Sequence, residues 1–264
     1  MRIARFSVDD EVKFGLVEGE GDQPDTLEVA EIQGHPFGPV QVTQRRWPVS
    51  RVRLLAPVLP SKVIGIGRNY AEHAAELGNA APTEDDPAVV FLKPSTSVVG
   101  PSDAIQYPVG VSFDVQHEAE LAVVIGRMCR QVPASRVPEV VLGYTCGNDV
   151  TARDLQRAEN QWGRAKGFDT FCPLGPWIET ELDPADLAIT CTVDGELRQA
   201  GRTAQMTRSV ADLVSYVSEA MTLLPGDVIL TGTPAGVGPI VAGQQVTVGI
   251  EGIGNLTNRV VARD

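Results

Sequence analysis

Two glutamates stand two residues apart in the stretch from His117 to Gly126. After Glu120 this stretch becomes apolar and β-branched, which favours a strand over a helix. Residues two apart in a strand project to the same side, so Glu118 and Glu120 are expected on one face. Neighbouring carboxylates repel each other and cost free energy. A bound cation, a basic partner or solvent is the usual relief.

A third carboxylate, Asp149, lies at the end of a predicted strand over residues 140–150, whose glycines permit close approach of another group. It is the best candidate for a third oxygen ligand beside the two glutamates. A helix is predicted to begin at Thr151, a plausible cap, with Arg153 in its first turn near Asp149. These residues could therefore form one charged site.

Two lysines occupy positions beside predicted loops. Lys93 follows a predicted strand over residues 88–92, where it could hold an anion or stay solvated. Lys166 lies in a predicted glycine-broken loop over residues 162–169.

An imidazole–carboxylate pair is predicted on a short helix over residues 68–78. Asn69 is a candidate cap, the alanines favour helix, and Gly78 can terminate it. His73 and Glu76 are three apart and share a helix face. A carboxylate beside an imidazole orients its tautomer and raises its basicity, as a general base requires. An ordinary polar pair on the surface is the alternative reading.

The remaining pattern is mainly that of short strands. Residues 1–57 form a β-rich piece, with a hairpin turn at Asp9-Asp10. Residues 62–67 form a short buried strand, and Asp194-Gly195 marks another hairpin. Apolar residues recur at helical spacing between Ser209 and Leu224. A glycine-rich loop with two hydroxyls, residues 231–238, follows a strand over residues 228–230.

Composition narrows the class of protein. The chain has 264 residues and a formal net charge of −12, which disfavours nucleic acid or an anionic membrane as a partner. An anionic substrate would need a local cluster of Lys and Arg. The cysteines are widely spaced with no C-x-x-C motif, so a reducing cytoplasm fits best. Neither a signal peptide nor a membrane-spanning run is expected.

A dinucleotide site is disfavoured as well. The segment Gly65-Ile66-Gly67 resembles part of a nucleotide fingerprint, but Tyr70 stands where the third glycine is required. His35, a lone histidine beside a turn, is expected at the surface.

Taken together, these motifs resemble the fumarylacetoacetate hydrolase superfamily from about residue 58 to the C-terminus. The N-terminal piece resembles, more loosely, the small extra domain of actinobacterial-type members. No single motif is specific, but their number and order are. The matching stretches are 67–70 with His73 and Glu76, 91–94, 118–121, 147–154, 165–169 and 226–234.

The resemblance implies a mostly β protein with a few helices, in which a mixed β-roll catalytic domain, residues 58–264, follows a small β-rich domain, residues 1–57. It implies a divalent metal, usually Mg²⁺ and sometimes Mn²⁺, held by Glu118, Glu120 and Asp149. All-oxygen ligation independently favours these hard ions over zinc. Family members are commonly homodimers that take part in aromatic compound catabolism. The His73–Glu76 helix corresponds to a lid over the substrate.

The family also suggests roles for the other charged residues. The resemblance implies a substrate that is a small anionic 2-oxo acid or its enol. Lys166 and Arg153 would neutralise its charge, Thr233 would donate a hydrogen bond, and Lys93 would contact its far end. His73, oriented by Glu76, would activate water or move a proton.

Three activities share this core, and the residues do not separate them. Hydrolytic C–C cleavage of an acylpyruvate-type substrate is the leading hypothesis. Isomerisation of 2-hydroxyhepta-2,4-diene-1,7-dioate and decarboxylation of an oxaloacetate-type diacid are alternatives. From another class, a non-catalytic binding protein on the same fold is a remote alternative, because fold alone does not prove activity.

Overall fold

The computed structural model describes residues 1–21, 24–83 and 85–263. Strands dominate the described residues, so the prediction of a mostly β protein with a few helices is confirmed. In these ranges no helix has the length and apolar character needed to cross a membrane.

The strands of the N-terminal half are β1 (Arg2–Val8), β2 (Glu11–Glu18), β3 (Glu28–Gln33), β4 (Gln41–Pro48), β5 (Arg53–Leu55), β6 (Val63–Gly67), β7 (Val89–Lys93), β8 (Val98–Val99), β9 (Ala104–Tyr107), β10 (Val115–His117) and β11 (Ala119–Ile125). Those of the C-terminal half are β12 (Val141–Asn148), β13 (Thr151–Ala152), β14 (Cys172–Glu179), β15 (Ala188–Val193), β16 (Glu196–Arg202), β17 (Val228–Leu230), β18 (Gly238–Pro239), β19 (Gln245–Ile250) and β20 (Gly254–Ala262).

The α-helices are α1 (Ala71–Glu76), α2 (Arg153–Ala158), α3 (Gly163–Lys166) and α4 (Val210–Ala220). Short 3-10 turns span Pro24–Thr26, Val49–Arg51, Ser95–Ser97, Ala134–Glu139 and Thr203–Gln205. Helix α4 lies within the segment of predicted helical periodicity between Ser209 and Leu224. The hydroxyl of Ser209 accepts from the Asp212 amide, and the Asp212 carboxylate accepts from the Ser209 amide.

The N-terminal strands are continuous with the main sheet. That sheet has the order β4-β3-β2-β1-β14-β12-β11-β17-β6-β7. Strand β1 pairs with β2 across the predicted turn, where Asp9 and Asp10 have φ of 50° and 61°. On its other side β1 pairs with β14, through Arg2 with Glu179 and Ile3 with Ile178. The N-terminal piece therefore extends the sheet that carries the candidate site.

Strand β11 is buried along its whole length because it lies between β12 and β17. Its side chains alternate between two hydrophobic clusters, with Leu121, Val123 and Ile125 in one and Ala122 and Val124 in the other. A second sheet, in the order β16-β15-β19-β20-β9, and a small sheet, β13-β10-β18, complete the β structure.

Several local predictions are wrong. The predicted loop at residues 162–169 contains the helical turn α3. Thr151 belongs to strand β13, and helix α2 has Ala152 as its N-cap residue without a side-chain hydrogen bond. Asn69 does not cap α1, whose N-cap residue is Tyr70. The Thr151 hydroxyl bonds the Asp149 carbonyl and Lys166, and the Asn69 amide donates to the Arg208 and Thr231 carbonyls, so neither side chain caps a helix.

Candidate metal centre and active site

The three predicted ligands meet in the structure. Ligand oxygens of Glu118, Glu120 and Asp149 all lie within 4.8 Å of one another, and the three residues are buried. Glu118 stands between β10 and β11, Glu120 is in β11, and Asp149 follows β12. Antiparallel pairing of β11 with β12 places Glu120 opposite Gly147, and the Asp149 amide donates to the Glu118 carbonyl at 2.9 Å. The sheet register therefore fixes the triad.

Three buried cations surround this triad. The Lys166 ammonium donates to Glu118 at 2.9 Å and to Asp149 at 2.5 Å, and Arg153 forms an ion pair with Glu118. Lys93 donates to the other oxygen of Asp149 at 2.5 Å. Three carboxylates and three cations thus balance in charge, which offsets the cost of their burial.

The charges are not evenly matched within the triad. Burial would raise the pKa of Glu118, but Lys166 and Arg153 outweigh it and hold that pKa below its ordinary value. The pKa of Glu120 lies well above its ordinary value, first because of burial and then because of the Asp149 and Glu118 carboxylates. Glu120 accepts a hydrogen bond from the Gly232 amide at 2.7 Å. Among the described residues Glu120 makes no ion pair, and its charged form is destabilised without a further cation.

A divalent cation at this position would stabilise the charged form of Glu120. The oxygens offered are all from carboxylates, the donor set that Mg²⁺, Mn²⁺ and Ca²⁺ prefer over zinc. Gly232, at φ +100°, uses the left-handed conformation open to glycine to present its N–H to Glu120. The three residues are thus suited to hold one hard ion.

A cavity of about 250 Å³ opens beside the triad. Its inner end includes Glu118, Glu120, Arg153, Lys166, His73 and Thr233. Apolar side chains form one wall, with Phe91 and Trp162 packed edge to face at 5.5 Å. Gly67 permits this packing, because a Cβ there would lie 2.6 Å from the Trp162 ring. The cavity is also lined by Arg68, Asn79, Gln156 and Arg157.

The histidine of the predicted imidazole–carboxylate pair lines this cavity. His73 is buried in α1, and its Nδ1 lies 3.3 Å from an Oε of Glu76. The Glu76 carboxylate also accepts from the Gly236 amide at 3.1 and 3.2 Å. Glu76 therefore ties α1 to the loop that follows β17, and leaves Nε2 of His73 as the ring nitrogen available for proton transfer.

Two predicted substrate-binding residues have other contacts here. Lys93 is 1% exposed, contacts Asp149 and the Val150 carbonyl, and is not among the lining residues, so the structure does not bring it to the far end of the cavity. Thr233 lines the cavity, but its hydroxyl already donates to the Ala119 carbonyl at 2.8 Å. The same hydroxyl accepts from the Gln199 amide at 2.7 Å, so its proton and one of its acceptor positions are already used within the protein.

Gln199 is a residue of the site that sequence reasoning missed. Its side-chain carbonyl accepts from the Ala119 amide at 3.0 Å and contacts His117 Nδ1 at 2.9 Å. Its amide donates to the Thr233 hydroxyl at 2.7 Å and the Pro234 carbonyl at 2.8 Å. Gln199 thus joins the glutamate strand to the Thr233 loop.

A strand irregularity explains why Gln199 was missed. In a regular hairpin closed by the Asp194-Gly195 turn, Arg198 would pair with Cys191. The register shifts between Cys191 and Thr192, and Gln199 takes that position instead. One extra residue in a strand changes which side chains face inward.

Replacing Gln199 with leucine is expected to lower the free energy of unfolding by about 2–4 kcal/mol, because buried groups such as the Ala119 amide lose their partner. Urea unfolding monitored by circular dichroism measures this change. Gln106→Leu, at an exposed strand position, is the matched control and should stay within about 0.5 kcal/mol of the parent. A Gln199→Leu protein as stable as the Gln106→Leu protein would contradict the bridging role.

Comparison with known proteins gives a consistent result. Residues 62–261 match the family model described as fumarylacetoacetate hydrolase, C-terminal, and residues 1–57 match one described as Rv2993c-like, N-terminal. The chain is 52% identical to Protein Rv2993c of Mycobacterium tuberculosis, over 100% of this chain and 99% of that protein.

Solved structures show the same fold over the whole chain. A 5-carboxymethyl-2-hydroxymuconate delta-isomerase from Mycobacterium smegmatis is 53% identical, with a TM-score of 0.91 and 100% of both chains covered. A maleylpyruvate hydrolase from Sphingobium sp. SYK-6, in complex with manganese(II) and pyruvate, is 32% identical, with a TM-score of 0.79 and 100% of both chains covered.

Proposed function

The chain belongs to the fumarylacetoacetate hydrolase family, and from that premise we propose that it hydrolyses a C–C bond of an acylpyruvate-type 2-oxo acid in a metal-dependent reaction. Membership makes it an enzyme of this family, alongside hydrolases and isomerases. The observation that carries the finer proposal is that Glu118 and Glu120 of the carboxylate triad line the same cavity as His73, whose Nδ1 is held by Glu76.

Glu118, Glu120 and Asp149 would hold the metal, for which we propose Mg²⁺, with Mn²⁺ as an alternative. A bound ion of this kind supplies Lewis-acid polarisation of the substrate's 2-oxo group. The relative with bound manganese(II) and pyruvate supports this assignment, since pyruvate is the fragment that hydrolysis of an acylpyruvate releases.

Water activation falls to His73. Glu76 accepts from Nδ1–H and so leaves Nε2 unprotonated to take a proton from water. The water oxygen adds to the distal carbonyl carbon, and the bond between that carbon and the neighbouring CH₂ breaks. Its electron pair passes to the pyruvate fragment as an enolate, which takes up a proton. The products are pyruvate and a carboxylic acid.

Lys166 and Arg153 supply positive charge at the inner end of the cavity. Both contact Glu118 here, so they are fixed before substrate arrives. The substrate's carboxylate and the developing enolate are the negative charges that they would stabilise. The apolar wall around Phe91 and Trp162 suits the acyl portion.

Isomerisation of 2-hydroxyhepta-2,4-diene-1,7-dioate is the second candidate. It is favoured by the 53% identity to a structure named as a related isomerase. There His73 would move a proton between carbons rather than activate water. Decarboxylation of an oxaloacetate-type diacid needs the same enolate stabilisation and remains a third possibility on the same site.

Product analysis with Mg²⁺ separates these reactions. The panel comprises an acylpyruvate, 2-hydroxyhepta-2,4-diene-1,7-dioate and oxaloacetate, followed by ultraviolet absorbance and chromatography. Pyruvate with a carboxylic acid is the expected result. A shifted chromophore without cleavage would replace our proposal with isomerisation, and CO₂ release would replace it with decarboxylation.

We further propose that the enzyme is a cytoplasmic homodimer of aromatic compound catabolism, acting on a small anionic 2-oxo acid and on neither nucleic acid nor membrane. We also propose a division into an N-terminal domain of residues 1–57 and a catalytic domain of residues 58–264. Family kinship and the net charge of −12 support this proposal.

A further inference from the structure

A second cavity, of about 300 Å³, lies where the N-terminal strands meet the turn before β17. We call it the junction cavity. It is separate from the metal centre, with which it shares no lining residue. The residues that matter here are Arg5, Phe14, His35, Phe37, Leu59 and Pro225.

Arg5 stands on the face of β1 that also carries Ile3 and Ser7. Residues two apart in a strand share a face, so Arg5 lies beside Ile3, which is buried in the cluster that includes Val58 and contacts Phe37. Across the sheet Arg5 pairs with Phe14 on β2 and with Leu55 on β5. A guanidinium thus projects at the edge of the core that joins the N-terminal strands to the rest of the protein.

The Arg5 guanidinium makes no ion pair with any residue that the structure describes. It is partly buried, and the one hydrogen bond that it makes within the described ranges is a long one, 3.4 Å, to the Ala56 carbonyl. In those ranges no carboxylate oxygen lies within 4.0 Å of it. Burial accordingly lowers the pKa of Arg5. In a chain with net charge −12, an unpaired and partly desolvated cation is a place for an external anion.

The walls of the junction cavity suit a flat apolar group. The His35 ring lies between Phe14 and Phe37, with ring centroids 5.0 and 4.8 Å apart. Phe37 also packs on the turn before β17, where a Cβ on Gly226 would lie 3.2 Å from its ring. Leu59 is 71% exposed, and Pro225 adds further apolar surface. Aromatic rings favour offset or edge contacts with another ring.

We propose that the junction cavity binds a small aromatic monocarboxylate, with its carboxylate on the Arg5 guanidinium and its ring against Phe14 and Phe37. The cavity volume falls at the lower end of the range for small-molecule sites, which matches a single ring rather than a peptide or a cofactor. The proposal stands on the geometry of this cavity and does not depend on the reaction at the metal centre.

Benzoate and benzamide are the probes, titrated into the ¹⁵N-labelled full-length protein and followed by two-dimensional amide NMR. They share a ring and a similar shape, but benzamide lacks the charge. Benzoate is expected to produce saturable shifts at Phe14, His35, Phe37 and Leu59. Benzamide should bind about tenfold or more weakly, because it cannot form a charge-assisted pair with Arg5. This comparison needs no variant.

Arg5→Gln should weaken benzoate binding by the same factor, whereas Arg51→Gln, at an exposed arginine of the N-terminal piece, should not change it. The proposal is overturned if benzoate gives no saturable shifts at the junction residues, or shifts only at the metal-centre cavity. It is also overturned if benzamide binds as tightly as benzoate, or if a folded Arg5→Gln protein keeps the parent affinity.

Discussion

Replacing His73 with alanine is expected to lower the rate of hydrolysis by roughly 10²–10⁴-fold, the usual contribution of a positioned general base. His73 lies at the cavity beside the carboxylate triad, and its Nδ1 is held by Glu76. Removing the imidazole takes away the group that accepts the proton from water. The metal ligands stay in place, because β11 and β12 position them independently of α1. Steady-state kinetics on an acylpyruvate with Mg²⁺ measures the loss.

Two further variants test whether the loss of rate comes from the imidazole itself. Glu72→Ala removes an exposed carboxylate from the same helix and should keep the parent rate. His73→Gln preserves a polar side chain in the buried position, so a fall in rate with unchanged thermal stability is a chemical effect rather than unfolding. Calorimetry should give the parent Mg²⁺ affinity for both His73 variants. Hydrolysis at the parent rate by folded His73→Ala would show that the base lies elsewhere.

Changing Glu120 to glutamine is expected to lower Mg²⁺ affinity by about 100-fold or more and to abolish turnover at moderate Mg²⁺ concentrations. Loss of a residue that only hydrogen-bonds a metal ligand typically lowers metal affinity by roughly 10–100-fold. Because Glu120 is proposed as a ligand itself, its loss should cost at least as much. The metal-free variant should nevertheless be at least as stable as the parent. Burial and the neighbouring carboxylates raise the pKa of Glu120, so the charged form is destabilising without a metal. The glutamine carbonyl can still accept from the Gly232 amide.

A metal ligand and a purely structural residue differ in these two quantities. Loss of a ligand lowers Mg²⁺ affinity without destabilising the metal-free protein, whereas loss of a structural residue destabilises it. Isothermal calorimetry with Mg²⁺ measures the affinity, and thermal unfolding in a chelator measures the stability. Glu219→Gln, an exposed glutamate on α4, should change neither quantity. Unchanged Mg²⁺ affinity in Glu120→Gln, or severe destabilisation of its metal-free form, would contradict the assignment.

The strand pattern and the family resemblance together indicated the triad. The apolar, β-branched run after Glu120 predicted that Glu118 and Glu120 share a face, Asp149 at a strand end was the best candidate for a third ligand, and the oxygens of all three lie within 4.8 Å of one another. The strand over residues 228–230 and the helix capped by Ser209 were also confirmed, since their signals are local. The roles of the nine predicted site residues stay predictions.

What the sequence did not indicate depends on contacts between distant segments. A lysine after a strand can face solvent or core, and only the packing of β7 against the segment after β12 shows that Lys93 contacts Asp149. Asn69 has the residue type of a helix cap, yet its amide bonds the Thr231 and Arg208 carbonyls. Strand β4 was not predicted, because its run of polar residues lacks alternation.

The balance of three buried cations against three buried carboxylates has a consequence for how the protein takes up its ion. Small zinc modules fold only when their metal arrives, because their ligands have nothing else to hold them together. Here Lys93, Arg153 and Lys166 already tether Glu118 and Asp149 from within the fold. Loading of the proposed ion would then be a local exchange of counter-charges in a chain that is already folded, and we expect a chelator to remove the ion and a Mg²⁺ salt to restore it without refolding.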